Sequence, residues 1–306
     1  MRDQLSGVIV LDKPADISSA KVVSKVKKLL DASKVGHTGT LDPFATGVLV
    51  CCLNQATRLA AFFLHSDKTY EAVMRLGIAT DTQDATGSIV RQAEIPATAE
   101  SGLEAIFEKF IGHQMQQPPI HAALKHRGTP LYKLARQGTP VRKPARAIVI
   151  ASLRILKVDL PRIRFEVCCS AGTYIRTLCA DIGDALGCGA HLEQLHRTLG
   201  GGFGIDEAIT LEALTDLGHG AWENALIPMD AALRGMPVFS AEPGLLQRVA
   251  FGQTLTQAHV PAAKIETPAD AAYPHHVKIV DDAGNLKAVL QKTPDGTGYN
   301  YCCVFK

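Results

Sequence analysis

The chain is organised around residues 36–47, Gly36-His37-Thr38-Gly39-Thr40-Leu41-Asp42-Pro43-Phe44-Ala45-Thr46-Gly47, which lead directly into the apolar run 48–53. Glycine allows sharp backbone turns and close approach of a ligand, and Pro43 favours an extended backbone at Asp42. The apolar run predicts a buried strand that anchors one end of this loop. Asp42 is the only acidic residue between positions 31 and 67. Chemistry here would therefore use one carboxylate rather than an acid–base pair, although the same residues are also typical of an ordinary Asp-Pro turn.

Length and composition indicate a globular protein with one large or two ordinary domains. The chain has 306 residues, of which 46% are hydrophobic, and no 18-residue window is apolar and uncharged enough to span a membrane. Six of the eight cysteines form adjacent pairs and no C-x-x-C occurs, a pattern that suits small core residues in a reducing compartment rather than zinc or disulfides. We therefore expect a cytoplasmic protein without a membrane segment.

Hydrophobic periodicity predicts alternating strands and helices over the first two thirds of the chain. The strand candidates are Gly7–Leu11, Thr69–Leu76, Ile163–Cys169 and Leu192–Leu199. The helix candidates are a segment capped by Ser18 or Ser19 and ending near Leu30, a short helix around Leu103–Phe110, Tyr174–Leu186, and a short helix from Thr210 to Leu217. Segment 81–87 is predicted to be a turn-rich connection, because it has too few carboxylates for a calcium loop.

Charge is distributed unevenly along the chain, although the net charge is only +2. No Asp or Glu lies between Lys109 and Val158, whereas this stretch, ends included, holds ten Lys or Arg residues, and its prolines predict a largely loop-like conformation. A flexible, acid-free basic segment is a candidate for binding a polyanion, and a solvated basic loop is the alternative. The candidates for contact with phosphates are Lys125, Arg127, Lys133, Arg136, Arg142 and Lys143.

From residue 240 onward the sequence predicts a smaller β-rich unit. Its strand candidates are Leu245–Val249, His276–Val280, Ala288–Leu290 and Tyr299–Phe305, with turns at 282–285 and 295–296. The preceding stretch, 228–239, looks connective. We expect two domains, residues 1–235 and 240–306, and expect the second to be separable from the first.

Five sequence blocks resemble the motifs of TruB-type tRNA pseudouridine-55 synthases, and they occur in the order found in that family, over roughly residues 7–200. They are the 36–47 loop with Leu11-Asp12-Lys13-Pro14 upstream, Lys68-Thr69-Tyr70, Ala123-Leu124-Lys125, Gly172-Thr173-Tyr174-Ile175-Arg176-Thr177 and Gly187-Cys188-Gly189-Ala190-His191. The resemblance implies an α/β (α+β) catalytic domain whose mixed, largely antiparallel sheet is flanked by helices. It also implies a small C-terminal PUA-like RNA-binding domain and a mobile, thumb-like basic segment at about 113–146.

The resemblance also implies roles for individual residues. Asp42 matches the catalytic carboxylate, Arg176 matches its ion-pair partner, and Tyr70 matches the ring that stacks on the flipped base. An Arg in the first turn of a helix gains nothing from the helix dipole, so a carboxylate partner would explain Arg176, though an exposed Arg needs none. The residues that match substrate-binding positions are His37, Tyr70, Tyr174 and Leu195. No cofactor and no metal is implied.

The implied function is isomerisation of the T-loop uridine at position 55 of tRNA. Asp42 would act on a flipped-out uridine, either as a nucleophile at C1′ or as a base toward the sugar. The expected partner is the T arm of tRNA, bound by a monomer. The alternatives are an RNA-binding tRNA-folding protein, a pseudouridine synthase for another RNA, and a hydrolase with an Asp nucleophile. One departure is Leu195-His196-Arg197-Thr198, where the family commonly has Arg-Arg-Leu, so phosphate contacts there stay open.

Overall fold

The structure is a computed structural model that describes residues 5–217 and 221–305. It contains one large sheet, a smaller C-terminal sheet, and two short hairpins. The strands of the first part are β1 (Gly7–Lys13), β2 (Val35–His37), β3 (Thr46–Leu53), β4 (Lys68–Leu76), β5 (Ile78–Thr80), β6 (Ile89–Gln92), β7 (Gly112–Gln116), β8 (Lys125–His126), β9 (Thr129–Pro130), β10 (Arg146–Asp159), β11 (Arg162–Cys169), β12 (Ala190–Gly200), β13 (Phe203–Gly204), β14 (Ile209–Thr210) and β15 (Ile227–Pro228).

The large sheet is mixed and largely antiparallel, as predicted. Its main strand order is β14-β1-β3-β12-β4-β11-β10-β7, with β2, β13 and β15 pairing alongside. Among the described strands of this sheet, only β14 with β1 and β12 with β3 pair in parallel. The strand β4 alternates between buried and half-buried residues along its whole length. This alternation confirms the predicted strand. Every second side chain of β4 therefore points into the core.

The helices cover parts of the sheet. They are α1 (Ser19–Leu29), α2 (Ala60–Leu64), α3 (Ala99–Lys109), α4 (Leu131–Arg136), α5 (Ile175–Ala185), α6 (Leu211–Asp216), α7 (Met229–Ala232) and α8 (Pro243–Ala250). Four of them, α1, α3, α5 and α6, lie where the sequence predicted a helix. Ser18 caps α1 by accepting a hydrogen bond from the Lys21 amide, and Thr210 caps α6 in the same way. Residues of α3 and α5 bury their apolar faces against β4, β11 and β12. The start of α5 is thereby held against the strands that carry the site.

The basic stretch is less loop-like than predicted. The strand β10 runs for 14 residues from Arg146 and pairs with both β7 and β11. Segment 147–158 is rich in Ile, Val and Leu and contains no proline, and this composition favours a strand. The irregular part is confined to residues 117–145, which contain only the hairpin β8–β9 and the short helix α4.

The C-terminal unit is a five-stranded sheet in the order β16-β18-β19-β20-β17. Its strands are β16 (Val238–Ser240), β17 (Leu255–Thr256), β18 (His276–Val280), β19 (Leu286–Lys292) and β20 (Gly298–Val304). The predicted strand Leu245–Val249 is wrong, because this segment lies in α8. Pro243 occupies the start of that helix, where its fixed φ favours helical geometry. A short apolar run cannot be distinguished from a strand by periodicity alone.

The two sheets share an apolar core. Leu233 and Met236, in the stretch predicted to be merely connective, are buried together with Val10 of β1 and Val289 of β19. The Arg58 guanidinium donates to the Val304 carbonyl at the end of β20. The C-terminal sheet is thus packed firmly onto the first part of the chain. The division into domains at 235–240 stays a prediction.

Candidate active site

The loop that carries Asp42 is held by buried polar side chains. The Lys13 ammonium, wholly buried, donates to the carbonyls of Pro14 at 2.8 Å, Pro43 at 3.0 Å and Ala45 at 2.6 Å. Burial lowers the pKa of Lys13 to about 8, opposed by the charges of nearby carboxylates. At neutral pH the ammonium therefore remains the cation that gathers these three carbonyls around Asp42.

A second pair of side chains fixes the other half of the loop. Ser19, the first residue of α1, exchanges hydrogen bonds with both the N–H and the carbonyl of Leu41. The Arg197 guanidinium donates to the carbonyls of Gly39 at 3.0 Å and Val48 at 2.6 Å. Arg197 is 2% exposed, so this cation, which the sequence left unassigned, supports the loop internally. The loop is consequently preorganised by groups from three different strands and helices.

Asp42 forms a two-point ion pair with Arg176. Arg176 Nε lies 2.9 Å from Asp42 Oδ2, and Nη2 lies 3.3 Å from Oδ1. The Arg176 side chain is 4% exposed, whereas the Asp42 side chain keeps 32% of its surface open to the cleft. Burial raises the pKa of Asp42, and the Arg176 guanidinium opposes that rise. The arrangement orients a carboxylate toward a cavity, and the paired guanidinium offsets part of the effect of burial on its charged form.

Arg176 has a second carboxylate partner, Asp84, which the sequence reading did not assign to the site. Arg176 Nη1 lies 3.3 Å from Asp84 Oδ2. Asp84 is held in turn by the Thr82 hydroxyl at 2.8 Å and the Thr86 N–H at 2.9 Å. Segment 81–87 is a turn, as predicted, and the available signal was Asp84 flanked by the two threonines. Asp42 is therefore isolated only in sequence, because an Asp-Arg-Asp row exists in space.

Asp42 opens into a cleft of about 500 Å³, a typical size for a small-ligand pocket. The predicted residues that line it are Asp42, Tyr70, Tyr174, Arg176 and Leu195. Tyr70 is 7% exposed, and the Arg197 guanidinium lies 6.0 Å from the centre of its ring. Burial raises the pKa of the Tyr70 phenol, with Arg197 acting in the opposite direction. A neutral phenol on an apolar floor is suited to stacking a base.

The cleft also contains cations that the sequence analysis did not select. Lys68 lines it, and burial lowers the pKa of its ammonium to about 8. The Arg146 guanidinium lies 5.0 Å from the centre of the Tyr174 ring and donates to the Gly172 carbonyl. With Arg176 and Arg197, the cleft has four cationic side chains and one carboxylate in its lining. This charge is suited to a ligand with phosphates.

The remaining predicted residues lie outside the cleft lining. His37 is on β2, where its Nδ1 accepts a 3.4 Å hydrogen bond from the Gly39 N–H, and burial lowers the pKa of its ring. Five of the six basic candidates in 117–145 are exposed, and Lys143 is half-buried. None of the six forms an ion pair with a carboxylate in the described parts of the chain. Their charges are thus available beside the cleft, whose lining this segment reaches at Ala123 and Leu124.

The described residues were compared with the requirements of a metal site and of a membrane-spanning helix, and they meet neither. Within residues 5–217 and 221–305, no group of three or more His, Cys, Asp or Glu side chains is placed to hold a metal ion. Across the same residues, every helix is too short or too polar to cross a bilayer.

Comparison with known families gives consistent matches across the chain. The pattern described as TruB family pseudouridylate synthase (N terminal domain) matches residues 27–175, and that of the tRNA pseudouridylate synthase B C-terminal domain matches residues 176–234. A tRNA pseudouridine synthase B of Chromohalobacter salexigens is 43% identical over 249 residues, which cover 81% of each chain. One of Burkholderia lata is 42% identical over 291 residues, covering 95% of this chain and 88% of the relative.

Chains in two solved complexes have a similar fold. A chain in the crystal structure of a Cbf5-Nop10-Gar1 complex has a TM-score of 0.74 and 28% identity, over 98% of this chain and 85% of that one. A chain in an H/ACA RNP bound to a substrate RNA containing 2′-deoxyuridine has a TM-score of 0.73 at the same identity and coverage.

Proposed function

Because this chain belongs to the TruB family of pseudouridylate synthases and is thus an isomerase of the tRNA pseudouridine synthase type, we propose that it isomerises uridine 55 in the T loop of tRNA. Asp42 would be the acting carboxylate. The observation that carries this proposal is the two-point Asp42–Arg176 ion pair at 2.9 and 3.3 Å, open to a cleft that also contains Tyr70. A purely RNA-binding protein has no need of such a preorganised, partly exposed carboxylate.

The proposed chemistry assigns one task to each cleft residue. The target uridine is flipped out of the RNA and stacks on Tyr70, with Tyr174 and Leu195 as walls. Asp42 either attacks C1′ or accepts a proton from the sugar, so that the C1′–N1 bond breaks. The released uracil rotates and bonds C1′ through C5, which breaks the Asp42–C1′ bond in the first route or is accompanied by return of the proton from Asp42 to the sugar in the second. The C5 proton then leaves and N1 gains one. The atoms balance within an isomerisation, and Arg176 orients Asp42 and stabilises the carboxylate before it reacts and after it is regenerated.

Recognition of the RNA is assigned to residues outside the reacting centre. The six exposed or half-exposed basic residues of 117–145 contact phosphates of the T arm, and His37 supports the remodelled loop. The proposed working unit is a monomer. The eight free cysteines suit the reducing cytoplasm.

The test is release of tritium to water from tRNA that carries tritium at uridine C5. We expect Asp42→Asn to abolish release, because an amide is neither nucleophile nor base, while tRNA affinity in a filter-binding assay changes little. Asp31→Asn is the matched control, since Asp31 is exposed and lies outside the cleft. A transcript in which uridine 55 is replaced by cytidine should release no tritium from that position.

Two outcomes would contradict the proposal. Near-normal turnover by folded Asp42→Asn protein would exclude the carboxylate as the acting group. Unchanged release from the cytidine-55 transcript would move the target to another uridine, and leave the isomerase chemistry standing.

A further inference from the structure

Gln116 is buried at the point where the basic segment leaves the large sheet. It is the last residue of β7, it is 3% exposed, and it is paired in register with Arg146, the first residue of β10. Segment 117–145 therefore begins beside Gln116 and ends beside Arg146. Since directly opposite residues of an antiparallel pair point to the same face, both side chains project to the same side of the sheet.

The Gln116 amide forms both possible hydrogen bonds with the backbone of Tyr174. Its Nε2 donates to the Tyr174 carbonyl at 3.0 Å, and its Oε1 accepts from the Tyr174 N–H at 2.8 Å. Tyr174 lines the cleft and is the residue before α5, whose N-terminus has no side-chain cap. Gln116 thus supplies an anchor that the end of this helix otherwise lacks.

The anchored segment leads directly to the catalytic ion pair. Arg176 lies two residues after Tyr174, in the first turn of α5, and binds Asp42 at 2.9 Å. Arg176 Nη2 also donates to the His121 carbonyl at 3.2 Å, in the basic segment itself. The start of α5 is consequently connected to this segment at two places, one at its base and one over the cleft.

We propose that Gln116 is a positioning residue for the isomerisation, which fixes Tyr174 and the first turn of α5 so that Arg176 meets Asp42. This inference rests on the proposed role of Asp42. Gln116 does not touch the substrate. It acts by holding Tyr174, in the wall of the cleft, at a fixed position relative to the start of segment 117–145. A displacement of about 1 Å in such a constellation costs about 100-fold in rate.

The test uses Gln116→Glu, because Glu is nearly the same size as Gln and can donate a hydrogen bond only when its carboxyl group is protonated. The ionised carboxylate can accept from the Tyr174 N–H but repels the Tyr174 carbonyl. The protonated acid, by contrast, has one O–H donor and one acceptor, like the amide it replaces. We expect the single-turnover rate relative to wild type to be about 10- to 100-fold lower near pH 8. We expect this ratio to recover toward one as the pH falls to about 5.5. Arg146 lies opposite position 116, and its charge shifts the recovery to lower pH.

Two comparison variants separate positioning from general damage to the fold. Gln116→Met has neither donor nor acceptor, so its relative rate should be low at every pH. Gln114→Glu introduces the same change on the same strand, where the side chain makes an exposed hydrogen bond to the Lys109 carbonyl, and its relative rate should stay near one. The tRNA affinity of Gln116→Glu should remain close to wild type, because the phosphate contacts are elsewhere, and the variant should stay folded at the assay temperature.

A flat rate ratio near one for Gln116→Glu would overturn the inference. So would a loss of rate matched by equal losses of tRNA affinity and melting temperature, since that is the signature of a structural role alone. Wild-type protein and Asp42→Asn run in the same assay keep the two proposals distinct. An inactive wild type or an active Asp42→Asn counts against the proposed function, whereas active wild type with an unaffected Gln116→Glu counts against Gln116 only.

Discussion

Replacement of Asp84 by Asn should impair catalysis although Asp84 does not line the cleft. Asp84 Oδ1 accepts hydrogen bonds from Thr82 and Thr86, and Oδ2 faces Arg176 Nη1 at 3.3 Å. An Asn that keeps its oxygen toward the threonines must present its N–H₂ group to the Arg176 N–H. An Asn that flips loses the threonine bonds instead. Either arrangement leaves one end of the Arg176 guanidinium without its charged partner.

The magnitude follows from the burial of this pair, in which Asp84 and Arg176 side chains are 5% and 4% exposed. A hydrogen bond to a buried charged group contributes roughly 1.5–3 kcal/mol. If about 2–3 kcal/mol of orientation is lost from the transition state, turnover falls about 30- to 160-fold. We also expect a loss of unfolding free energy of similar size, about 2 kcal/mol.

The same substitution should change the pH dependence of the reaction. Burial raises the pKa of Asp42, Arg176 opposes the rise, and the charge of Asp84 adds to it. Because the reacting form is the carboxylate, activity is lost as the pH falls through the pKa of Asp42. Removal of the Asp84 charge should therefore lower that pKa and move the acid limb of the pH–rate profile to lower pH.

The assay is single-turnover tritium release across the pH range, with urea unfolding on the same preparations. Asp81→Asn is the control, because Asp81 lies in the same turn and its Oδ1 accepts from the Ser88 N–H without touching Arg176. Turnover of Asp84→Asn within threefold of this control, with an unmoved acid limb, would refute the claim that Asp84 holds Arg176.

Two further predictions concern RNA binding and the C-terminal sheet. Replacing the six basic residues of 117–145 by Ala should weaken tRNA binding and flatten its salt dependence by roughly 0.7 in log–log slope per lost contact, measured by filter binding at several salt concentrations. Equivalent replacement of Arg154, Arg162 and Arg164, which are already paired with carboxylates, should change the slope little, and equal effects of the two sets would contradict this. Contrary to the separability expected from the sequence, a chain ending at Pro237 should aggregate or melt at lower temperature, because removing the second sheet exposes the core around Leu233. A cooperative, undiminished melt in calorimetry would instead show that the two parts fold separately.

The sequence by itself determined the elements that depend on close neighbours. The alternation along β4, the caps at Ser18 and Thr210, and the glycine turn after α5, where Gly187 has φ of 83°, are all present as predicted. Each depends on side chains within a few positions of one another, so the local pattern carries the information. Motif resemblance selected Asp42, Tyr70, Tyr174, Arg176 and Leu195, and the structure brings all five to one cleft.

Prediction from local patterns failed where the same residues are compatible with two kinds of secondary structure. The apolar run in α8 suits a strand or a helix, and Pro243 and the packing of Val249 against the second sheet decide for the helix. The strand at 147–158 was not predicted, because the stretch was interpreted from its low acid content. Charge indicates what a surface binds and does not show how the backbone is paired.

Only the tertiary structure decided which side chains support the site. Asp84 and Arg176 are 92 positions apart in sequence, and Arg197 reaches a carbonyl 149 positions away. Gln116 contacts Tyr174, 58 positions away in sequence, because β10 and β7 form the edge of the sheet beside the start of α5. Such contacts follow from the order of strands in the sheet. A lone Asp, Gln or Arg in a sequence carries no mark of the strand beside which folding will place it.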